Sequence, residues 1–385
     1  MTATQTERGA AFFLNSFLGR KGNIGLRFTP VIGELQAQGW KVGAYCRGGE
    51  RVDGIAMHTM GPLGHVPRLL SALRIYVAPA LAVRRYDIAL YEAFFRQAPN
   101  GEVSPSIAHI AEYAPKLIDR LRVRGIPVVL DVPIAPQCYV ARMRAADPSF
   151  PLVPDKDIQE RELACCAKAD LILCPSPFVA GELSAAGVSS GRICVIPFGA
   201  AYDGWSKRDS PPKGRPLEFC FAGNVSPRKG VLDLLAAWAR PEFRAHRLHL
   251  CGRVYPEIAR ALARHGFGNV VTPGFVDVDE YFKRCDVFVL PSLMEGSSKA
   301  VYEAMNRSLP VVVTRETGSV ARDGIEGYVV PARDPEALAS AMLRFADTPG
   351  LAARMGAAAK ARMAGFTWAD YGRRVVAAYD RLLGA

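Results

Sequence analysis

No stretch of this sequence strings together the ~18–20 apolar residues that a membrane-spanning helix requires. Cys-x-x-Cys is absent, so neither a disulfide frame nor a zinc site is indicated. The nine cysteines are scattered, with Cys165-Cys166 the one adjacent pair. Cys46, Cys174, Cys194, Cys220 and Cys251 lie within or at the ends of short apolar runs, which reads as reduced, buried thiols. The six histidines show no metal-ligand spacing. His246 and His249 read as strand-edge residues and His109 as part of a helix. No Gly-x-Gly-x-x-Gly follows the first apolar run, which disfavours a dinucleotide oxidoreductase, and no Walker loop appears.

What is present is the composition of a large folded chain. Of 385 residues, 50% are hydrophobic and 22% charged, enough for a sizeable core and too apolar for disorder. That length suggests two domains. The net charge is +11, divided almost evenly as +5 up to Pro212 and +6 beyond. A nucleic-acid binder concentrates its charge in a patch or arm, so no nucleic acid partner is expected. The balance suits phosphorylated small molecules or an anionic membrane surface. The opening residues carry an acid, Glu7, and the apolar piece Ala10–Leu14 is too short for a signal peptide. A cytoplasmic chain is expected, with the inner face of the membrane as a further location.

Strand and helix patterns alternate twice. Ala11–Leu14 is a short apolar run, followed by a glycine loop, Gly19 to Gly25, and a helix-like stretch to Gln38. Lys41–Cys46, Asp87–Tyr91, Pro127–Asp131, Leu171–Cys174 and Ile193–Ile196 continue the strand series. After a polar, proline-rich break the series restarts with Leu217–Ala222, Arg247–Cys251, Asn269–Thr272, Asp286–Leu290, Pro310–Val313 and Gly327–Val330. The tail reads as three helices over Pro335–Phe345, Gly350–Met363 and Trp368–Leu383. Continuous apolar strands separated by helices indicate parallel sheets covered on both faces. The expected fold class is α/β, with an N-terminal domain over 1–205, a linker over 206–216, a C-terminal domain over 217–365 and a closing helix over 366–385. Ligands of such sheets sit beyond the carboxyl ends of the strands.

The sharpest pattern runs from Val289 to Met305. An apolar strand ends at Leu290, a loop of small residues follows, and a helix starts near Ser298. Helix-start N–H groups and the helix dipole favour an anion, and Gly296, Ser297 and Ser298 allow close approach of a phosphate. Glu295 precedes the helix and Glu303 lies inside it, roughly 7–8 Å further along at 1.5 Å per residue. That is about the span from a diphosphate to its ribose. A second candidate loop follows Leu217–Ala222 and carries Asn224, Arg228 and Lys229.

Glu295 and Glu303 match the E-x7-E motif of the retaining glycosyltransferases of family 4. The likeness extends to Phe221–Gly230, Ala169–Phe178, Ile196–Gly199, Thr317–Gly324, Gly327–Pro331 and Phe366-Thr-Trp368, and is continuous over roughly Glu162 to Leu383. This resemblance implies the GT-B fold, in which two doubly wound Rossmann-like domains face a cleft and a C-terminal helix crosses back to the N-domain. It implies transfer of a sugar from a nucleotide sugar to an acceptor saccharide, glycolipid or metabolite hydroxyl. Anomeric retention is implied, with no metal or other cofactor. By position, Arg228 and Lys229 would hold the diphosphate, with Asn224 nearby. Glu295 would contact the sugar, Glu303 the ribose and Gly296–Ser298 the distal phosphate. Arg228, Lys229 and Glu295 are the catalytic candidates, the cations because a leaving diphosphate gains negative charge that they stabilise.

Departures from the family pattern bear on the acceptor side. The family's N-domain histidine has no counterpart after Pro127–Asp131, where Val132-Pro133-Ile134 follow, and Asp131 is the nearest polar substitute. Gly22, Asn23, Gly25 and Asp131 are therefore the acceptor-side candidates. Asp277-Val278-Asp279 resembles the metal motif of differently folded glycosyltransferases, but helix capping accounts for it better. From Gly54 to Tyr86 there is no acid, and Arg68, Arg74, Arg84 and Arg85 alternate with apolar residues. Such a stretch packs as a core helix rimmed by arginine or lies on an anionic membrane. The competing functions are a GT-B nucleotide-sugar epimerase and a noncatalytic basic binding protein.

Overall fold

The computed structural model describes residues 8–19, 24–66, 80–96, 105–201 and 215–384. Gly22 and Asn23, residues 206–214 of the expected linker, and residues 67–79 of the basic stretch lie outside the described residues.

Two all-parallel sheets carry the molecule. The first contains β1 (Gly9–Leu18), β2 (Lys41–Gly49), β3 (Ile55–Thr59), β4 (Ile107–Ile110), β5 (Val128–Asp131), β6 (Leu171–Cys174) and β7 (Ile193–Val195), in the order β3-β2-β1-β4-β5-β6-β7. The second contains β8 (Glu218–Ala222), β9 (Arg247–Cys251), β10 (Val270–Gly274), β11 (Val287–Leu290), β12 (Val311–Thr314) and β13 (Gly327–Val330), in the order β10-β9-β8-β11-β12-β13. Central strands such as Val128–Asp131 and Val287–Leu290 are buried along their whole length. Helices cover both faces, which is why these strands read as unbroken apolar runs.

The described helices are α1 (Phe28–Ala37), α2 (Ala80–Phe95), α3 (Pro115–Val123), α4 (Gln137–Ala146), α5 (Lys156–Lys168), α6 (Pro177–Ala185), α7 (Val231–Trp238), α8 (Pro256–His265), α9 (Val278–Arg284), α10 (Lys299–Asn306), α11 (Pro335–Asp347), α12 (Leu351–Met363) and α13 (Trp368–Leu383). None is long and apolar enough to cross a membrane. Within each sheet the opening strand sits where the winding reverses. β1 lies between β2 and β4, and β8 lies between β9 and β11. Crevices at such reversals are where ligands bind in doubly wound folds.

Three expectations are corrected. Asp87–Tyr91 is helical, part of α2. Tyr91 and Phe95, one turn apart, are buried, so a helical rather than a strand period governs this segment. His109 belongs to a strand, β4, and is buried. His249 lies inside β9, an interior strand, where its Nε2 is 2.9 Å from Glu218 Oε2.

The C-terminal helix α13 crosses back to the first sheet. A capping box at Thr367 and Asp370 starts it. Tyr371, Val375, Val376 and Tyr379 then pack with Phe12, Phe28 and Ile32 in the N-domain core. Gly372 permits the crossing, since a Cβ there would lie 2.5 Å from the Pro30 carbonyl oxygen. His109 Nδ1 meets the Tyr379 hydroxyl, and burial with the nearby Arg27 charge pushes the imidazole pKa down to about 3, so the ring is neutral. The domains also meet beyond β11. Leu293 and Met294 join the N-domain core, and the Tyr139 hydroxyl donates to the Leu293 carbonyl at 2.8 Å.

Candidate active site

The reversal in the second sheet brings together the loops that follow β8 and β11. The first turns through Gly223 (φ +130°) and a short 3-10 segment, Pro227–Lys229, before α7. Gly230 (φ +71°) begins the helix, and its missing side chain makes room for the Pro291 carbonyl, which a Cβ would meet at 1.8 Å. The Leu293 N–H donates to the Arg228 carbonyl at 2.9 Å, and Arg228 Nη1 donates to the Met294 carbonyl at 2.7 Å. The two loops are thus tied together by one backbone and one side-chain hydrogen bond.

Three charged side chains meet in this crevice. Glu295 Oε1 lies 2.6 Å from Arg228 Nη1 and 2.7 Å from Lys229 Nζ, and Ser292 Oγ donates to the same oxygen at 3.2 Å. Burial pushes the Lys229 ammonium pKa down, opposed by the Glu295 carboxylate. Asn224 is exposed at the edge of the crevice. Glu303 stands one helix face away, paired with Lys299 at 2.8 Å. Beside it a cavity of about 500 Å³ is lined by Glu303, Asn306, Arg307 and Val276 from the C-domain and by Leu26 and Trp368 from the other side.

The glycine–serine loop works differently from its sequence reading. The Ser298 N–H is already bonded to the Thr317 carbonyl at 3.1 Å, so Ser298 cannot offer it to a phosphate. The Ser297 hydroxyl is buried and donates to the Tyr302 hydroxyl at 2.6 Å. The N–H groups of Gly296 and Ser297 carry no hydrogen bond among the described residues. Gly296 is small because the N-domain presses on it: a Cβ there would lie 1.6 Å from the Pro133 carbonyl oxygen. That contact sets Pro133, which occupies the loop where the family histidine was sought, directly against the loop after β11.

The acceptor-side candidates are also repositioned. Asp131 is buried near Tyr371 in an ion pair with Arg27, whose guanidinium lies over the Phe198 ring, and so does not present a free carboxylate to the cleft. Gly25 is buried, and a Cβ there would meet the Phe17 carbonyl oxygen at 2.0 Å, so close packing against β1 demands it. The carboxyl at the first sheet's own reversal is Glu112, two residues beyond β4, which sequence reasoning missed. Burial and the Asp87 carboxylate push its pKa up to about 8 against the arginines Arg47, Arg27 and Arg161. Asn15 on β1 and Arg47 on β2 both contact Asp87 beside it. The signal was present: Glu112 stands two residues past a short segment, Ile107–Ile110, once that is read as a strand.

At the wall of the same cavity beside Glu303, Asp277 caps α9 by accepting from the Asp279 N–H, and Asp279 takes two bonds from Arg307 at 2.6 and 3.0 Å. Glu218, His249 and Cys285 place ligand-type atoms within 4.8 Å of one another. Arg284 donates to His249 Nδ1 at 3.2 Å, which directs the Nε2 proton to Glu218. This is a satisfied hydrogen-bond chain at the end of the sheet opposite the crevice. The cysteines form no disulfide among the described residues.

Comparison with known proteins fits these features. Residues 31–201 match a family model described as glycosyltransferase family 4, and residues 216–348 match one described as glycosyl transferases group 1. The chain is 35% identical over 167 residues to a D-inositol 3-phosphate glycosyltransferase of Streptomyces scabiei, covering 38% of this chain and 37% of that protein. It is 27% identical over 194 residues to the WcaL protein of Salmonella typhimurium, a putative colanic acid biosynthesis glycosyltransferase, covering 46% and 48%. The alignments thus span about a third to a half of these curated relatives. Among solved structures, sucrose-phosphate synthase from Thermosynechococcus elongatus superposes with a TM-score of 0.75 at 19% identity, covering 98% of this chain and 99% of that one. Anabaena HepE in complex with UDP and glucose superposes at 0.62 with 15% identity, covering 97% and 100%. At these identities the structural likeness shows the GT-B fold.

Proposed function

The chain belongs to the glycosyltransferases of family 4, and from that membership we propose that it moves a sugar from a nucleotide-sugar donor to an acceptor hydroxyl. The observation that carries this is the convergence, at the C-domain reversal, of Arg228, Lys229, Glu295 and the start of α10. The diphosphate sits over the two cations and the Gly296 and Ser297 N–H groups. The ribose extends toward Glu303 and the nucleoside into the adjoining cavity. As the sugar–oxygen bond breaks, the leaving diphosphate gains charge, and Arg228 and Lys229 stabilise it in a site largely shielded from water. No metal is required where two cations already face the phosphates.

The acceptor enters from the N-domain, across the reversal that carries Glu112. We infer retention at the anomeric carbon from family membership, and a setting in the assembly of a surface polysaccharide, a glycolipid or a glycosylated metabolite. Peripheral contact with an anionic membrane belongs to the same proposal. Vesicle sedimentation that depends on anionic lipid and falls with salt supports it, and equal binding to neutral vesicles removes it.

A thermal-shift panel of nucleotide sugars tests the donor assignment, because a ligand of the folded state raises the midpoint by mass action. One donor is expected to raise it, and Lys229→Ala to weaken that donor ~10–100-fold, the loss of a charge-assisted hydrogen bond. Glu303→Ala is expected to weaken it less. Variants that respond like wild type refute the site.

A further inference from the structure

We propose that the Glu295 carboxylate is a built-in competitor for the donor's diphosphate, and that it lets the site distinguish a nucleotide carrying its sugar from the same nucleotide without it. The proposal rests on the donor-site assignment above. Arg228, Lys229 and Ser292 converge on one oxygen of Glu295, at 2.6, 2.7 and 3.2 Å. A phosphate oxygen bound there would be met by the same two cations, while the Ser292 hydroxyl turns to the Arg228 carbonyl, 3.4 Å away. The side chains are 32%, 11% and 14% exposed for Arg228, Lys229 and Glu295, so water screens the cluster poorly.

The backbone around Glu295 is fixed. Its N–H donates to the Glu316 carbonyl at 2.8 Å, the Leu293 carbonyl accepts from Tyr139, and Gly296 abuts Pro133. Only the side chain is free to answer an incoming anion, by rotating off the cations. An arriving diphosphate must turn Glu295 out, and the two like charges then repel. With the sugar attached, its hydroxyls donate to the displaced carboxylate and offset the broken ion pairs. Without the sugar nothing does so, and Glu295 swings back onto Arg228 and Lys229. Glu295 therefore weakens the hold on the spent nucleotide and hastens its departure, with no covalent step involved.

Calorimetric titration with UDP, ADP and GDP, and with the glucose ester of each, reads this discrimination. For the nucleotide that binds wild type, Glu295→Gln is expected to bind the free diphosphate about tenfold more tightly. Its affinity for the sugar ester rises less or falls, so the preference for the loaded donor shrinks. Ser292→Ala removes one bond to Glu295 and keeps both cations; it is expected to tighten the free diphosphate about twofold. That variant decides the matter if Glu295→Gln does not fold. Unchanged or weaker binding of the free diphosphate by the folded variants overturns the proposal and leaves the donor site standing. Failure of wild type to bind any of the nucleotides overturns both.

Discussion

Glu112 sits half-buried among Asp87, Arg47, Arg27 and Arg161, with its pKa raised to about 8 from an ordinary 4.5. Between these values the folded protein holds a proton that the unfolded chain has released. Stability associated with this group is therefore complete below pH ~4.5 and is lost as pH rises through about 8. Glu112→Gln, which cannot ionise, is expected to flatten that decline by up to about 1.4 kcal/mol per pH unit. Urea melts of both proteins from pH 5 to 9 measure it, and parallel slopes would refute the assignment. At this scale the sequence is uneven. Arg228, Lys229, Glu295 and Glu303 were legible because each follows a recognisable strand end or lies at a fixed spacing. Glu112 was marked only by the short strand before it and the Arg27–Asp131 pair not at all, because long-range partners decide their states.

Helices α1 and α13 pack on each other and carry two glycines in opposite circumstances. A Cβ added at Gly33 on α1 would meet nothing within 4 Å, whereas one at Gly372 on α13 would run into the Pro30 carbonyl. Gly33→Ala is expected to stabilise by ~0.5–1 kcal/mol, since alanine loses less backbone entropy in a helix. Gly372→Ala is expected to destabilise by ~1–3 kcal/mol through overpacking, loosening the helix that joins the domains. Denaturant melts of the two variants should move in opposite directions, and a shared direction would contradict this packing. Element boundaries follow the same logic. Apolar runs with β-branched residues, such as Val311–Thr314, declared themselves as strands. Asp87–Tyr91 resembled one as a short apolar run, yet tertiary contacts at Tyr91 and Phe95 made it a helix. Ile107–Ile110 was too short, and too interrupted by His109, to stand out.

At the largest scale, the described residues form two sheets whose reversals share one cleft side, joined through α13 and through the loop after β11. The alternation of strand and helix made this architecture legible, and the glutamate spacing pointed to the candidate donor side. The contact between Pro133 and Gly296 was illegible, because it joins residues from separate domains. That contact adds a requirement of domain packing to the expected account of Gly296 as room for a phosphate. The most direct test of the central claim is a crystal structure of the protein with the nucleoside diphosphate that gives the largest thermal shift. The diphosphate is expected over Arg228 and Lys229, at the start of α10, with the ribose on Glu303. A diphosphate seated at any other place in the fold would contradict the account.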